Sequence, residues 1–193
     1  MALALARGLA RLTQHPHAPL ILTAAIDKAA FAFFDGQRSR YFPPERNQLS
    51  AHLTLFHALP PSQADEVAVR CRLLARGQPP VAAQATSLMN LGKGVAYRIQ
   101  APELVRLRAE LADAWLPLLS AQDRGGFSPH ITIQNKAEPA TARALLAALA
   151  ATFEPIRFQV VGFDLWRYFG GPWEAAGSFG FRGWSGLRGG PRS

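Results

Sequence analysis

Two short stretches of the sequence carry the same pattern of residue types. HLTLF begins at His52, and HITIQ begins seventy-eight positions later at His130. Both read histidine, apolar residue, threonine, apolar residue, which is the alternation of a half-buried β-strand. Because alternate side chains of a strand share one face, His52 points with Thr54, and His130 points with Thr132. Each pair presents an imidazole and a hydroxyl roughly 6–7 Å apart, a spacing that fits one tetrahedral phosphate.

The repetition of the motif carries more weight than either copy. A lone histidine in a strand is usually a hydrogen-bonded structural residue, so HLTLF by itself would indicate little. The chain has only five histidines, and two matching His-x-Thr strands with apolar flanks are not expected by chance. The pair therefore predicts one site to which both strands contribute.

Two imidazoles that face one cleft suggest displacement at phosphorus. Imidazole titrates near neutral pH, so one ring can accept a proton from the attacking oxygen while the other donates one to the departing oxygen. Threonine hydroxyls can hold the non-bridging oxygens. The sequence shows no His, Cys or acidic cluster with metal-ligand spacing, so the predicted chemistry needs no metal and no cofactor. The pattern leaves open which histidine is the base.

The elements that must position these strands alternate in type. Apolar runs, turn residues and helical periodicity predict strands at 19–27 and 51–59, a helix at 63–77 capped by Ser62, a hairpin at 81–100, a helix at 101–120, a strand at 130–137, a helix at 138–153 and strands at 156–169 and 174–181. Residues 28–34 read as strand or turn, and residues 41–50 read as a loop. Each histidine strand would then precede a helix and a hairpin, which predicts an α+β fold of two related lobes.

The sequence resembles the 2H phosphoesterase superfamily, and within it the bacterial 2′-5′ RNA ligase-like branch. The resemblance rests on HLTLF and HITIQ, on the lead-in YFPPERNQLSAHLTLFHALP and on the closing WRYFGGPWE, and it spans about residues 20–181. It implies a bilobal α+β fold with a pseudo-two-fold axis and a central cleft. It also implies hydrolysis of 2′,3′-cyclic phosphates or 2′-5′ phosphodiester linkages in RNA or nucleotides, with RNA ligation as the reverse reaction. His52 and His130 would be the acid/base pair, and Thr54 and Thr132 the phosphate ligands.

Other residues near the motifs are further candidates for substrate binding. Arg40 and Tyr41 lie in the predicted loop before the first motif, beside Arg38, where a cation and an aromatic ring could meet phosphate and base. Anchoring of the loop by Tyr41 and Phe42 is the other reading. Lys136 lies six positions after His130 and would share its face if the strand continued. His57 lies an odd number of positions after His52 on the same predicted strand, so a structural role is expected for it.

Composition and charge limit the remaining choices. The formal net charge is +8 and comes mainly from arginine, which suits a phosphate-bearing partner but also fits compositional bias of the genome. The single cysteine, Cys71, favours a reducing cytoplasm, and no apolar run predicts a membrane span. We expect a weakly helical extension at residues 1–18, with a transit peptide as the other reading, one domain at 19–181 and a basic Gly/Arg-rich tail at 182–193. A monomer is expected, and the alternative function is an RNA-binding module of the same fold with little catalysis.

Overall fold

The computed structural model describes residues 18–183 of the chain. The N-terminal extension predicted before Ala18 and the tail after Gly183 lie outside the described residues. The strands are β1 (Leu20–Ile26), β2 (Leu53–Leu59), β3 (Val81–Asn90), β4 (Val95–Gln100), β5 (His130–Gln134), β6 (Ile156–Tyr168) and β7 (Trp173–Gly180). The helices are α1 (Lys28–Tyr41), α2 (Ala64–Gly77), α3 (Pro102–Ala114), the single turn α4 (Ala121–Arg124) and α5 (Pro139–Ala150).

All seven strands form one antiparallel sheet whose order reveals an internal repeat. The path is β2-β1-β6-β3-β4-β5, with β7 added beside β6. The first unit runs β1-α1-β2-α2-β3, and the second runs β4-α3-β5-α5-β6. Exchanging the two units maps the path onto itself in reverse, so the repeat is a pseudo-two-fold one. The α+β fold of two related lobes is confirmed.

The limits of the repeated unit differ from the predicted ones. Each histidine strand comes third in its unit, after a strand and a helix, and the β3-β4 hairpin joins the two units instead of lying within one. The prediction missed helix α1, because Asp35-Gly36 resembles a turn and the helix has little amphipathic pattern. Asp27 caps this helix by accepting a hydrogen bond from the Ala30 amide at 2.9 Å. The cap predicted at Ser62 is not formed, since α2 begins after a 3₁₀ turn.

The two motif strands share an irregularity that supports the repeat. In β2, Thr54 pairs with Thr23 while Phe56 pairs with Leu22, so one residue of β1 faces two of β2. In β5 the same step follows Thr132, which pairs with Ala96 while Gln134 pairs with Val95 (a β-bulge in both cases). Both threonines therefore sit at the last regular position before a bend in the strand.

Each unit packs its first helix against the motif strand of the other unit. Helix α1 contacts β5, and Arg38 on α1 donates a hydrogen bond to the Thr132 carbonyl at 3.0 Å. At the C-terminal end of α3, the Trp115 ring meets Phe56 of β2 edge-on at 5.3 Å, and the Arg108 guanidinium lies over the same ring. The strands β2 and β5, at opposite ends of the sheet path, contact each other. The fold thus brings the two motifs together.

A single apolar core fixes these elements in place. The face of α3 predicted from its periodicity is buried, at Leu104, Leu107, Leu111 and Trp115. Cys71 is buried too, as expected for a helical thiol, and burial raises its pKa to about 12. Within residues 18–183, the helices are too short or too polar to span a lipid bilayer.

Candidate active site

The two motif histidines are held by the same local hydrogen bond. His52 directly precedes β2 and His130 is the first residue of β5. The Nδ1 atom of His52 lies 2.8 Å from the Ser50 carbonyl, and Nδ1 of His130 lies 2.9 Å from the Ser128 carbonyl. A carbonyl oxygen only accepts, so Nδ1 carries the proton in both rings. Among residues 18–183 neither Nε2 atom has a hydrogen-bond partner, which leaves both available for proton transfer.

The electrostatic setting of His52 favours its neutral form. Burial lowers the pKa of His52 to about 4, against the opposing effect of the Ser50 carbonyl. Positive charge on Arg38 and on His130 lowers this pKa further, so the two motif rings are electrostatic neighbours. The His52 ring also packs on Trp173 at a centroid distance of 4.6 Å. At neutral pH His52 is therefore an unprotonated imidazole with its Nε2 lone pair free.

A polar cavity of about 620 Å³ opens beside the two motifs. Its polar walls combine motif residues with cations and an amide, and include Arg38, Arg46, His52, Thr132, Asn135 and Lys136. The lining holds three cations against one carboxylate, that of Glu45, and this excess of positive charge beside a histidine and a threonine favours an anionic ligand such as phosphate. Thr54 does not line this cavity; it lies on β2, two positions after His52, where it pairs with Thr23.

Arg38 is the functional candidate that the sequence placed wrongly. It lies on the last turn of α1 and not in a loop, and only 4% of it is exposed. Its guanidinium donates to Asn47 Oδ1 at 2.9 Å, to the Leu49 carbonyl at 2.8 Å and to the Thr132 carbonyl at 3.0 Å. Burial lowers the pKa of Arg38 to about 10, so it stays charged at neutral pH. The residue ties the segment before the first motif to the second motif strand.

Lys136 reaches the polar cavity by a route that differs from the predicted one. Strand β5 ends at Gln134, and Lys136 adopts a left-handed backbone with φ of 59°. The Asn135 side chain accepts a hydrogen bond from the Lys136 backbone amide at 2.7 Å. Gly94 packs against the Gln134 carbonyl so closely that no Cβ would fit there. The strand end is thereby held in a turn that places Lys136 in the cavity wall.

Arg40 and Tyr41 lie at the end of α1 rather than in a loop, and neither lines the two cavities that contain His52. The Arg40 guanidinium rests on the Tyr41 ring at 5.4 Å, and Tyr41 packs against the core near Tyr97. Their predicted contact with substrate has no support from this placement.

A second, aromatic cavity of about 350 Å³ adjoins His52 on its other side. Its lining includes Phe31, Trp166, Trp173, Thr23 and Asp164 together with His52. The Trp166 indole donates to Thr23 Oγ1 at 2.9 Å, and the Trp166 and Trp173 rings lie 6.1 Å apart. Flat apolar walls with a few polar groups suit a planar heterocycle. The tryptophans of WRYFGGPWE were the available signal for this cavity, although the sequence did not show where they would lie.

The sequence model of the 2′-5′ RNA ligase superfamily matches residues 24–172, which is most of the chain and includes both motifs. The chain belongs to the 2′-5′ RNA ligase superfamily. This confirms the resemblance to 2H phosphoesterases and supports a phosphodiesterase-type enzyme. No curated protein matches the sequence.

Solved structures share the fold of this superfamily member. TT0787 of Thermus thermophilus aligns with a TM-score of 0.60 at 20% identity, covering 86% of this chain and 98% of the other. LigT of E. coli complexed with 3′-AMP aligns with a TM-score of 0.57 at 17% identity, covering 86% and 98% of the two chains. LigT complexed with phosphate aligns with a TM-score of 0.54 at 16% identity and covers 86% and 98%.

His57 is held away from the site of this superfamily member. Its backbone amide and its Nδ1 lie 2.9 Å and 3.1 Å from Asp123 Oδ1, and the Ala58 amide donates to Oδ2 at 3.0 Å. Ser120 donates to the same carboxylate at 3.0 Å, and these hydrogen bonds lower the pKa of Asp123 to about 2 even though its burial acts in the opposite direction. Asp123 thus fastens helix α4 to the outer edge of β2, which supports the structural role expected for His57.

The described residues offer no ready metal site. Between Ala18 and Gly183, no group of three His, Cys, Asp or Glu side chains is placed to hold one ion. In this superfamily member the polar cavity is instead lined by the His52 imidazole, the Thr132 hydroxyl, three cations and the single carboxylate of Glu45.

Proposed function

We propose that the protein is a phosphodiesterase that hydrolyses 2′,3′-cyclic phosphates or 2′-5′ linkages of RNA or nucleotides by acid/base catalysis, without a metal. The observation that carries the proposal is the matched pair of histidines on neighbouring motif strands. Each ring has its Nδ1 proton committed to a carbonyl two residues upstream, so each presents Nε2 for one proton transfer.

His52 is the base and His130 the acid in the hydrolytic direction. The lowered pKa keeps Nε2 of His52 unprotonated at neutral pH, where it can take a proton from the attacking water. The water oxygen forms a bond to phosphorus as the ester bond to the leaving 2′- or 3′-oxygen breaks. His130, protonated on Nε2, gives its proton to that oxygen. Loss of a proton from His52 and uptake of one by His130 restore the starting state. Ligation would be the same displacement on a 2′,3′-cyclic phosphate with the 5′-hydroxyl of a second RNA in place of water: its oxygen bonds to phosphorus as the bond to the 3′-oxygen breaks, which leaves a 2′-5′ linkage.

The threonines and cations support the charge that develops on phosphate. The Thr54 and Thr132 hydroxyls are proposed to donate to its two non-bridging oxygens. Arg38 and Lys136 in the wall of the polar cavity add positive charge nearby. Arg38 acts through position as well, because it holds the Thr132 carbonyl.

The aromatic cavity is proposed to take the base of the nucleoside that carries the phosphate. His52 lines both cavities, so a ligand that extends from one to the other passes its imidazole. Stacking of a base on an aromatic ring is worth about 1–3 kcal/mol. The structure of LigT with 3′-AMP shows that a protein of this fold accepts a mononucleotide.

Product analysis with and without EDTA tests the proposal. Purified protein is incubated with 2′,3′-cyclic mononucleotides, with RNA ended by a cyclic phosphate and with 2′-5′-linked dinucleotides. We expect monoester products from at least one substrate, at the same rate after EDTA treatment. Activity that EDTA removes and Zn²⁺ or Mn²⁺ restores would overturn the metal-free mechanism. Binding of RNA without turnover would favour the RNA-binding module instead.

A further inference from the structure

A third cavity, of about 280 Å³, lies between helix α2 and strand β7. Its charged lining residues are Arg72, Arg76 and Arg182, and none of the residues that line it is acidic. We call it the arginine groove. Among residues 18–183 no carboxylate forms an ion pair with any of these three guanidinium groups, whereas Arg70 on the same helix pairs with Glu66 at 3.1 Å. Three like charges in one groove without a counter-charge favour a ligand with several negative charges.

The groove is a built feature of the fold. The Arg72 guanidinium rests over the Phe179 ring at 5.7 Å. Arg182 is fixed by its backbone, which donates to the Ala75 carbonyl at 2.9 Å, and the following residue, Gly183, donates to the Gln78 carbonyl at 2.9 Å. The chain after β7 is thereby held along the end of α2, which places Arg182 beside Arg76.

A row of cross-strand neighbours connects the groove to the first motif. Thr54 on β2 pairs with Thr23 on β1, and Thr23 pairs with Asp164 on β6. Asp164 in turn pairs with Ser178 on β7, which lines the arginine groove. Directly opposed residues of an antiparallel pair share one face of the sheet. The row crosses three strand spacings, about 14 Å in all. Phe179, over which Arg72 rests, points to the opposite face from Ser178, so the path to the groove also passes round the β7 edge and takes a few nucleotides of extended chain.

The edge that separates the two sites offers little obstruction. Among residues 18–183, strand β7 pairs only with β6 and is an edge of the described sheet. Apart from Phe179, its residues at the groove are small, with Ala176, Gly177, Ser178 and Gly180, and a Cβ added at Gly180 would meet no described atom within 4 Å. The aromatic cavity lies on this side of His52, because Trp173 is the first residue of β7.

We infer that the arginine groove binds the phosphate backbone of single-stranded RNA upstream of the reacting end, so that an oligonucleotide is a better substrate than a free cyclic mononucleotide. The inference rests on the proposed function for the reacting end. The terminal base would occupy the aromatic cavity, and the 5′-ward backbone would cross the β7 edge into the groove. Phosphates are bound there by charge rather than by base identity, so no sequence preference is expected upstream.

A length series tests the inference. The substrates share one terminal nucleotide with a 2′,3′-cyclic phosphate and range from the mononucleotide to a hexanucleotide. We expect KM to fall by about tenfold or more once the chain is long enough to reach the groove. The double substitution Arg76→Ala/Arg182→Ala should abolish this fall and leave turnover of the mononucleotide unchanged, which also shows that the variant is folded. For the longer substrates, the slope of log KM against log salt should drop by roughly 1.4, or 0.7 for each lost phosphate contact.

Two control variants distinguish the effect of the groove arginines from that of positive charge elsewhere on the protein surface. Arg70→Ala/Arg106→Ala removes the same charge from residues already paired with acids, and should keep the length dependence. Arg76→Lys/Arg182→Lys keeps the charge in the groove, so this variant should also keep the length dependence of KM. KM values that do not depend on length, or that rise equally in both alanine pairs, would overturn the inference.

Binding measured without turnover distinguishes the failure of this inference from that of the proposed function. Fluorescence anisotropy with a 3′-phosphorylated hexanucleotide should show weaker binding by the Arg76→Ala/Arg182→Ala variant even if no cyclic phosphate is hydrolysed. Hydrolysis without any effect of length or of the groove arginines would contradict the inference about the groove and leave the proposed function standing. Arginine-dependent binding to phosphatidylserine vesicles, without such binding to the hexanucleotide, would assign the groove to a membrane surface and contradict the inference.

Discussion

The surroundings of His52 and His130 share their scaffold and differ in almost everything else. Each ring sits at the start of a motif strand, and each is held by a carbonyl two residues before it. His52 is packed on Trp173 and lines both cavities. His130 instead pairs across the sheet with Arg98.

The threonines differ in the same way. Thr54 faces Thr23, which continues a polar row across the sheet, whereas Thr132 faces Ala96. The Thr132 carbonyl accepts from the buried Arg38. The repeat thus supplies two equivalent positions for a hydroxyl beside an imidazole, and the elements outside the repeat make their surroundings unequal.

The extra strand β7 and the segment before it account for most of the difference at His52. Trp173 begins β7, and β7 has no counterpart in the repeat. The first unit therefore receives an aromatic wall that the second lacks. A duplicated scaffold can provide two similar proton-transfer groups, but acid and base roles require that their environments differ.

Of the substitutions that test the difference between the two histidines, removal of either ring should lower kcat the most. We expect His52→Ala and His130→Ala each to lower kcat by roughly 100-fold or more, because each loses one proton transfer. The double variant should be scarcely worse than either single one, since the pair acts as a unit. Steady-state kinetics on a 2′,3′-cyclic substrate measures this, with His57→Ala as a control that retains turnover. A fully active His130→Ala variant would eliminate the two-histidine mechanism.

The threonines test whether the two halves hold phosphate equally. Thr54→Val and Thr132→Val keep the shape and strand propensity and remove one donor each. If each hydroxyl binds a non-bridging oxygen in the transition state, kcat should fall by roughly 10- to 1000-fold in each variant. Normal kcat in both variants would show that these hydroxyls only fill the strand face.

The pH profile tests the assignment of roles. His52 must be neutral to act as the base, so the acidic limb of kcat/KM for the free enzyme should follow its pKa of about 4. Activity is lost as pH falls through this value and His52 becomes protonated. Trp173→Ala exposes the ring and should move the limb upward by about one unit or more, towards the ordinary value for histidine. If the acidic limb of Trp173→Ala lies at the same pH as that of the unmodified protein, packing of Trp173 on His52 does not lower the pKa of His52.

Substitution of Lys136 should change the kinetic constants least. If it contacts phosphate from the wall of the polar cavity, Lys136→Gln removes one charge-assisted contact and should raise KM by about tenfold with little change in kcat. Lys28→Gln, on the first turn of α1, is the matched control. An unchanged KM in Lys136→Gln would assign this lysine to solvent.

Local patterns in the sequence predicted much of this architecture. The positions of all seven strands follow from alternation and turn residues, and the buried face of α3 follows from its periodicity. Helix α1 was missed because its signal is the Asp27 cap rather than an amphipathic stripe. The extent of the repeated unit was therefore also misjudged, since α1 is the counterpart of α3.

By itself the sequence determined which motif side chains share a face, because strand parity places His52 with Thr54 and His130 with Thr132, and from these it predicted the reaction that they suit. Only the tertiary structure decided what surrounds them. Burial of Arg38, the seating of Trp173 on His52 and the turn that brings Lys136 into the cavity wall all depend on contacts between residues far apart in the chain. Desolvation depends on those contacts as well, and it is desolvation that keeps His52 neutral, as the proposed base must be.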